Sequence, residues 1–394
     1  MWSDVIKNNK KYHLHIELTS KCNAACPHCP RFLRGAPIRN PAIGLYELKL
    51  EEVKQWIPVE IIESTGSMNI CGNFGDPSLC LEMVDIVEYF ISTNPKIDIE
   101  IRTNGGARNS KFWRDLGKLS KKYKNQITTI FSIDGLEDTN HLYRRNVKWD
   151  KLMSNVKSYI SAGGKAAWEY LIFKHNEHQI KDAEELKKEI GFEFISFKQP
   201  IGFEDYLNNR TIPLPVYDKK GKLDYFLEPS SRFKNSNLKY QDNKDEVSKS
   251  LMESDKSCSI DPNGVNFDLY SKIETHDIKC QAVHDNGHIE IYIDSNGNVR
   301  PCCHIGVETE RHIELPLGTH SNLILSPPHL FNLKTNSLER ILKLFDIRIE
   351  GTWNKTHREG RCIKCSSQCG KTSETQSNRL YVKQDPSLKD KTIL

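Results

Sequence analysis

The feature that most constrains the fold is an alternation of two periodicities through the first half of the chain. "YHLHIEL" places Leu14, Ile16 and Leu18 two residues apart, as a strand does, and "LKLEEVKQWI" spaces Leu50, Val53, Trp56 and Ile57 as a helix does. "SMNICGNFGDP" then reads as a strand running into a Gly-rich loop, and "LEMVDIVEYFI" as a helix. The same grammar continues through the strand "IDIEIRTNGG", the helix "FWRDLGKLSKKY" and the strand "ITTIFSIDG". "WDKLMSNVKSYISAGG" sets Trp149, Leu152, Val156 and Ile160 on one helical face and stops at Gly163 and Gly164, as a glycine C-cap stops a helix. "AAWEYLIFKHN", a helix through "DAEELKKEIG", and "FEFISFKQP" complete six strands separated by helices, ending near residue 200. Consecutive parallel βα units follow from this order. A part-barrel and a doubly wound open sheet both place ligands at the carboxyl ends of such strands, so periodicity alone leaves the two open.

The rest of the chain is organised differently. Residues 203–275 include "FKNSNLKYQDNKDEVSKSLMESDKS", polar and without apolar periodicity, which reads as a linker or insertion. In "GHIEIYIDSNGNVRPCCHIG", Ile289, Ile291 and Ile293 alternate before a turn at Asn296 and Gly297, the pattern of a β-hairpin. The expected division is therefore 1–202, a βα core; 203–275, linker; 276–380, a small α+β domain with the hairpin; and 381–394, a polar tail.

Lys and Arg exceed Asp and Glu by only 4, 56 against 52, which gives little support for a nucleic-acid partner. The first residues lack the apolar run of a secretory signal, and no stretch approaches the ~20 apolar residues of a membrane span. A cytoplasmic protein is expected, in which twelve cysteines stay reduced and clustered ones point to metal rather than to disulfides.

The tightest cluster is "HIELTSKCNAACPHCPR", with Cys22, Cys26 and Cys29 spaced C-x3-C-x2-C. A zinc site with three thiolates needs a fourth ligand, and His28, between Cys26 and Cys29, is poorly placed to close the same small loop. The spacing suits three corners of an iron–sulfur cubane whose fourth iron is left for a ligand that is not protein.

Cys22, Cys26 and Cys29 after the first strand resemble the signature of the radical S-adenosylmethionine (radical SAM) enzymes. The resemblance implies a partial (β/α)6 TIM-type barrel and a [4Fe–4S] cluster whose open iron is chelated by the amino and carboxylate groups of S-adenosylmethionine. "GNFGDP", with Gly72, Asn73, Gly75, Asp76 and Pro77, resembles the motif after the second strand that holds the methionine amino group, with Asp76 where Glu is more usual. The resemblance further implies cofactor contacts from Asn104, from Ser132 and Asp134 in "SIDG", from Arg144 in "LYRR", and from His28 near the adenine. Taken singly, each has a structural explanation. Gly-Asp-Pro is common turn chemistry, Ser132 and Asp134 could cap a helix, and Arg144 could form a surface ion pair.

A second set, Cys280, then Gly297 with Cys302 five residues later, then "CIKCSSQC" with Cys362, Cys365 and Cys369, resembles the auxiliary-cluster domain called SPASM or its shorter form, twitch. It departs from the full pattern: no cysteine follows Cys369, too few remain for two fully cysteine-ligated clusters, and Cys303 is a further candidate. One auxiliary [4Fe–4S] cluster on Cys280, Cys302, Cys362 and Cys365 is implied, with Cys369 able to displace one of them. A structural zinc at the same thiols is the rival. Cys71 and Cys80 are expected to be buried structural thiols, and Cys258 is given no role.

The activity implied is reductive cleavage of S-adenosylmethionine to a 5′-deoxyadenosyl radical and hydrogen abstraction from a peptide or small polar substrate, for a net oxidation or rearrangement. A donor such as flavodoxin or ferredoxin would supply the electron. The alternatives are an electron-transfer or regulatory iron–sulfur protein that forms no radical, and radical modification of a nucleobase or nucleic acid.

Overall fold

The computed structural model describes residues 1–32, 37–41, 43–123, 126–200, 203–205, 210–232, 239–240, 277–284, 286–311, 325–356 and 359–370. Cys258, most of the expected linker after residue 232 and the tail 381–394 lie outside them.

The six anticipated strands form: β1 (Tyr12–Ile16), β2 (Thr65–Ile70), β3 (Asp98–Thr103), β4 (Ile127–Ser132), β5 (Lys165–Leu171) and β6 (Phe194–Lys198). They lie side by side in chain order, each parallel to the next. Between them run α1 (Leu50–Trp56), α2 (Val59–Glu63), α3 (Met83–Thr93), α4 (Ser110–Lys122), α5 (Asn140–Tyr143), α6 (Trp149–Ser161) and α7 (Ile180–Ile190). Local chemistry sets several ends. Asn109 caps α4 by accepting from the Phe112 N–H at 3.1 Å, and α6 ends where Gly163 turns left-handed at φ +93°.

The alternation within each strand sorts side chains to two faces. Leu14, Ile16, Met68, Ile70, Ile99, Ile101, Phe131, Trp168 and Tyr170 are buried in the main apolar core. There they join Phe90 of α3, Trp113 and Leu116 of α4, and Leu152, Val156 and Tyr159 of α6. Trp113 meets Phe131 with ring centroids 5.4 Å apart. Each such buried side chain stabilises the fold by about 1.5–3 kcal/mol. The opposite face is polar. Arg102 of β3 reaches over β4 to Glu169 of β5 at 2.8 Å, and Lys198 of β6 closes on the same carboxylate. This is the curvature of a part-barrel, whose concave face holds these charges together.

The hairpin also forms, but it does not stand apart from the barrel. β9 (Ile289–Ile293) pairs antiparallel with β10 (Val299–Arg300) and parallel with β1, in the register Tyr12 to Ile289 and Ile16 to Ile293. One sheet of eight strands results, in the order β10-β9-β1-β2-β3-β4-β5-β6. β1 would otherwise be an open edge, and an added strand satisfies its ladder. The expected turn is present: Gly297 has φ +82°, and Asp294 Oδ1 accepts from the Asn296 and Asn298 N–H groups at 2.8 Å. Trp2 is fully buried against Phe345 of a later helix, α9 (Leu338–Arg348), and its Nε1 donates to the Glu290 carbonyl at 3.0 Å.

The stretch expected to be a linker contains ordered structure as well. β7 (Leu214–Tyr217) and β8 (Leu223–Leu227) form an antiparallel hairpin. It docks beside α5 through Tyr225 Oη to the Leu142 carbonyl and through Arg145 Nη1 to the Tyr217 carbonyl at 2.9 Å. Apolar residues spaced by two around a Gly221 turn account for it, and the overall polarity of 203–275 masked that short signal. Among the described residues no helix is long and apolar enough to cross a membrane.

Candidate functional site

The loop after β1 carries Cys22, Cys26 and Cys29 at the carboxyl end of the sheet, and its path is fixed by neighbours rather than by its own sequence. The Ala25 N–H donates to the Arg145 carbonyl and the Asp76 N–H to the Lys21 carbonyl, at 2.9 and 2.8 Å. Arg31 is buried, and its guanidinium donates to the Ser20 and Phe74 carbonyls. The cysteine loop and the "GNFGDP" loop are thereby stitched together. At Gly75 a Cβ atom would lie 1.6 Å from the Thr19 carbonyl oxygen, so only glycine fits this contact.

Glu17 organises the second loop from below. It is buried, and its Oε1 accepts from the Phe74 and Gly75 N–H groups at 2.9 and 2.7 Å. Its Oε2 accepts from the Tyr292 hydroxyl of β9 at 2.7 Å. Burial raises its carboxyl to about 7, against the pull of these hydrogen bonds. Sequence reasoning missed Glu17. The signal was present: His13, His15 and Glu17 alternate with Leu14, Ile16 and Leu18 on a strand that pairs on both sides, where an apolar run is the norm.

Asp76 faces inward. Its Oδ1 accepts from Ser78 N and Oγ at 3.0 and 2.6 Å and from Thr103 Oγ1 at 2.9 Å, while Oδ2 accepts from Asn104 N at 2.7 Å. The carboxylate caps the short turn at Pro77–Leu79 and ties it to the end of β3. Its lone pairs are thus engaged within the protein. Asn73 Nδ2 donates to the Cys303 carbonyl at 3.3 Å, and in Gly72 a Cβ would meet Gly75 O at 2.3 Å.

Two of the anticipated residues present N–H groups to the thiols. Asn104 Nδ2 lies 3.7 Å from Cys22 Sγ and also donates to Asn23 Oδ1 at 3.0 Å. Arg144 Nη1 lies 3.7 Å from Cys26 Sγ, while its Nε donates to Asp134 Oδ2 at 2.5 Å. Asp134 is wholly buried and also accepts from the Leu171 N–H at 2.6 Å, so it anchors Arg144 instead of capping a helix. His28 packs against Phe203 and Tyr143, with centroids 5.2 and 6.3 Å apart. Ser132 ends β4 half-buried, opposite Glu169 in register. Burial pushes the Cys22 and Cys26 thiols up and Cys29 to about 12; at Cys26 the Arg144 charge opposes the shift.

The later cysteines separate into two environments. Cys369 ends α10 (Ile363–Cys369), and its sulfur is hydrogen-bonded to Cys280 and accepts from the Gln281 N–H at 3.4 Å. Cys365 is hydrogen-bonded to Cys362, and Cys302 and Cys369 lie close enough to act on it electrostatically. Cys280 and Cys369 thus form one pair and Cys362 and Cys365 another, with Cys302 acting electrostatically on both. Cys303, at the start of α8 (Cys303–Arg311), turns instead to His15 and Glu290. Cys80 is buried and donates to the Leu48 carbonyl at 3.5 Å, and Cys71 is half-buried at the end of β2. The described cysteines are all free thiols.

Comparison with known proteins bears on this arrangement. Among curated proteins none matches the chain significantly. Among solved structures, Streptococcus suis SuiB bound to S-adenosylmethionine is similar at 15% identity over 77% of this chain and 63% of that chain, with a TM-score of 0.46. The chain thus spans less than two thirds of the SuiB chain's length. The structure of anSMEcpe with bound AdoMet and Cp18Cys peptide is similar at 16% identity over 91% of this chain and 89% of that one, with a TM-score of 0.46. BtrN in complex with AdoMet and 2-DOIA follows at 12% identity over 93% and 96%, with a TM-score of 0.37. The family model of the Radical SAM superfamily matches residues 16–189, from the end of β1 through α7 and so across the cysteine loop, the "GNFGDP" loop and Arg144. By that match residues 16–189 form a domain like that of the Radical SAM superfamily.

Proposed function

We propose that the chain is a radical enzyme in which Cys22, Cys26 and Cys29 hold a [4Fe–4S] cluster and the adjoining loops hold S-adenosylmethionine. The observation that carries this reading is the pair of N–H groups, from Asn104 and Arg144, set 3.7 Å from the sulfurs of Cys22 and Cys26. Such donors stabilise thiolate over thiol and tune a cluster's potential, and a merely structural thiol has no use for them. The donor set fits the group: three free cysteines on one loop.

When bound, the cluster and S-adenosylmethionine supply one-electron cleavage of the C5′–S bond and a radical able to remove hydrogen from an unreactive carbon. The protein's own work is positioning and exclusion of water. Gly75 and Glu17 hold the "GNFGDP" backbone against the cysteine loop. Asp76, engaged by Ser78, Thr103 and Asn104, serves in this reading as the brace that sets Asn104 beside Cys22, and the loop backbone is left to meet the cofactor's amino group. Gly72, Asn73 and Pro77 shape that loop. Asp134 holds Arg144 on Cys26, His28 with Tyr143 and Phe203 would offer an apolar wall for the adenine, and Ser132 at the end of β4 would contact the ribose.

The substrate in this reading is a peptide or small polar molecule. Arg102, Glu169 and Lys198 on the concave face support it, since a charged lining suits a charged or hydrogen-bonding substrate better than an apolar one. Cys280, Cys302, Cys362, Cys365 and Cys369 form the proposed site of one auxiliary cluster in the region 276–380. Fully ligated, it would accept the electron left after hydrogen abstraction, which favours a net oxidation.

The test is iron and sulfide content with dithionite-driven 5′-deoxyadenosine release from anaerobically purified protein. About eight irons per chain with nucleoside release are expected from two four-iron clusters. Cys22→Ala, Cys26→Ala and Cys29→Ala should abolish release, whereas Cys362→Ala should lower iron and leave uncoupled cleavage. Release by the Cys22→Ala protein at the wild-type rate contradicts the reading.

A further inference from the structure

Where β9 joins β1 lies a second group of side chains able to ligate a metal, which the activity above does not use. Among the described residues, His15, Glu290 and Cys303 bring one nitrogen, one oxygen and one sulfur all within 4.8 Å of one another. His15 and Glu290 are buried and Cys303 is nearly so. His15 Nδ1 lies 3.6 Å from Glu290 Oε1, and the Cys303 N–H donates to the same oxygen at 2.9 Å.

The far side of the imidazole is anchored. His15 Nε2 lies 2.8 Å from the Cys71 carbonyl oxygen, which can only accept, so Nε2 donates to it and Nδ1 is the nitrogen turned toward Glu290 and Cys303. A histidine anchored through its second nitrogen to a backbone carbonyl is the usual support of a metal ligand. Glu290 is oriented as well by the Cys303 N–H, and His284 Nε2 lies 3.5 Å from Glu290 Oε2. With a metal bound, a neutral imidazole, a carboxylate and a thiolate would together carry two negative charges, which a divalent cation would cancel.

We propose that His15, Glu290 and Cys303 bind one divalent cation of the zinc class, with His284 as the nearest further donor. Mixed nitrogen, oxygen and sulfur ligands suit a borderline ion such as zinc. The ligand separations would contract to the about 3.3–3.8 Å edges of a tetrahedral site. Because the ligands come from β1, β9 and the first turn of α8, the ion would bind the barrel to the hairpin region that follows it.

The experiment is metal analysis of anaerobically purified holoprotein by mass spectrometry, with zinc-edge X-ray absorption on the same sample. About one zinc per chain beside the iron is expected, with one sulfur among nitrogen and oxygen neighbours. Cys303→Ser and His15→Gln should each lower zinc at least tenfold at unchanged iron. Three results overturn the proposal: no divalent metal beyond iron; zinc surrounded by sulfur alone, which would assign it to the C-terminal thiols; or loss of iron in Cys303→Ser, which would make Cys303 a cluster ligand. Should a variant fail to fold, the absorption spectrum of the wild-type protein decides alone.

Discussion

The Tyr292 hydroxyl donates to the Glu17 carboxylate at 2.7 Å, joining residues 275 apart in sequence. Through this bond the strand that extends the barrel supports the carboxylate holding the "GNFGDP" loop. Glu17→Ala leaves the Phe74 and Gly75 N–H groups without their acceptor, an expected loss of about 2–5 kcal/mol, and Tyr292→Phe an expected loss of about 1–2 kcal/mol. Urea unfolding of both single variants and the double variant should show less than additive losses, because the two share one partner. Strict additivity would argue against the shared support.

Arg144 connects a buried carboxylate to a thiol. Arg144→Met is expected to destabilise by about 3–5 kcal/mol, since Asp134 then stands buried without its partner. Asp134→Asn in the same chain should recover part of that stability without restoring nucleoside release, because the N–H at Cys26 is still missing. Recovery of both together would place the role of Arg144 in folding alone.

Gly75→Ala sets a methyl group 1.6 Å from the Thr19 carbonyl, and backbone cannot move aside as a flexible side chain can. The two loops must part. We expect a melting temperature lower by several degrees, consistent with a loss of about 1–3 kcal/mol, together with loss of nucleoside release. A variant with wild-type melting and turnover would show that the loops are not held in this contact.

His175 gives a pH dependence of stability. Its ring stacks on Phe173 with centroids 5.2 Å apart, and burial lowers its pKa to about 4. The unfolded chain, with an ordinary histidine near 6.5, binds the proton first as pH falls. The contribution is therefore complete above about pH 6.5 and is lost progressively down to about pH 4. Across that range the urea midpoint of wild type should fall relative to that of His175→Phe as pH is lowered, and curves that stay parallel would count against this assignment.

What the amino-acid sequence determined by itself was local. Strand and helix periods located all six βα units because burial of one face repeats every two or 3.6 residues, and Gly163 and Gly297 marked real chain reversals for the same reason: only a residue without Cβ turns left-handed at no cost. The C-x3-C-x2-C spacing was legible because all three thiols lie on one loop. The tertiary structure decided what joins residues far apart. It added β9 to the open edge of β1 and turned Asp76 toward Ser78, Thr103 and Asn104. It set Cys303 beside His15 and Cys302 near Cys369, with Glu290 close to both, and it made Glu17 the support of a loop more than fifty residues away. The residues lie in periods and motifs, but their pairings are recorded in neither. Each arises from packing of distant segments, where an unsatisfied ladder or a buried charge selects its partner by geometry that sequence spacing does not record.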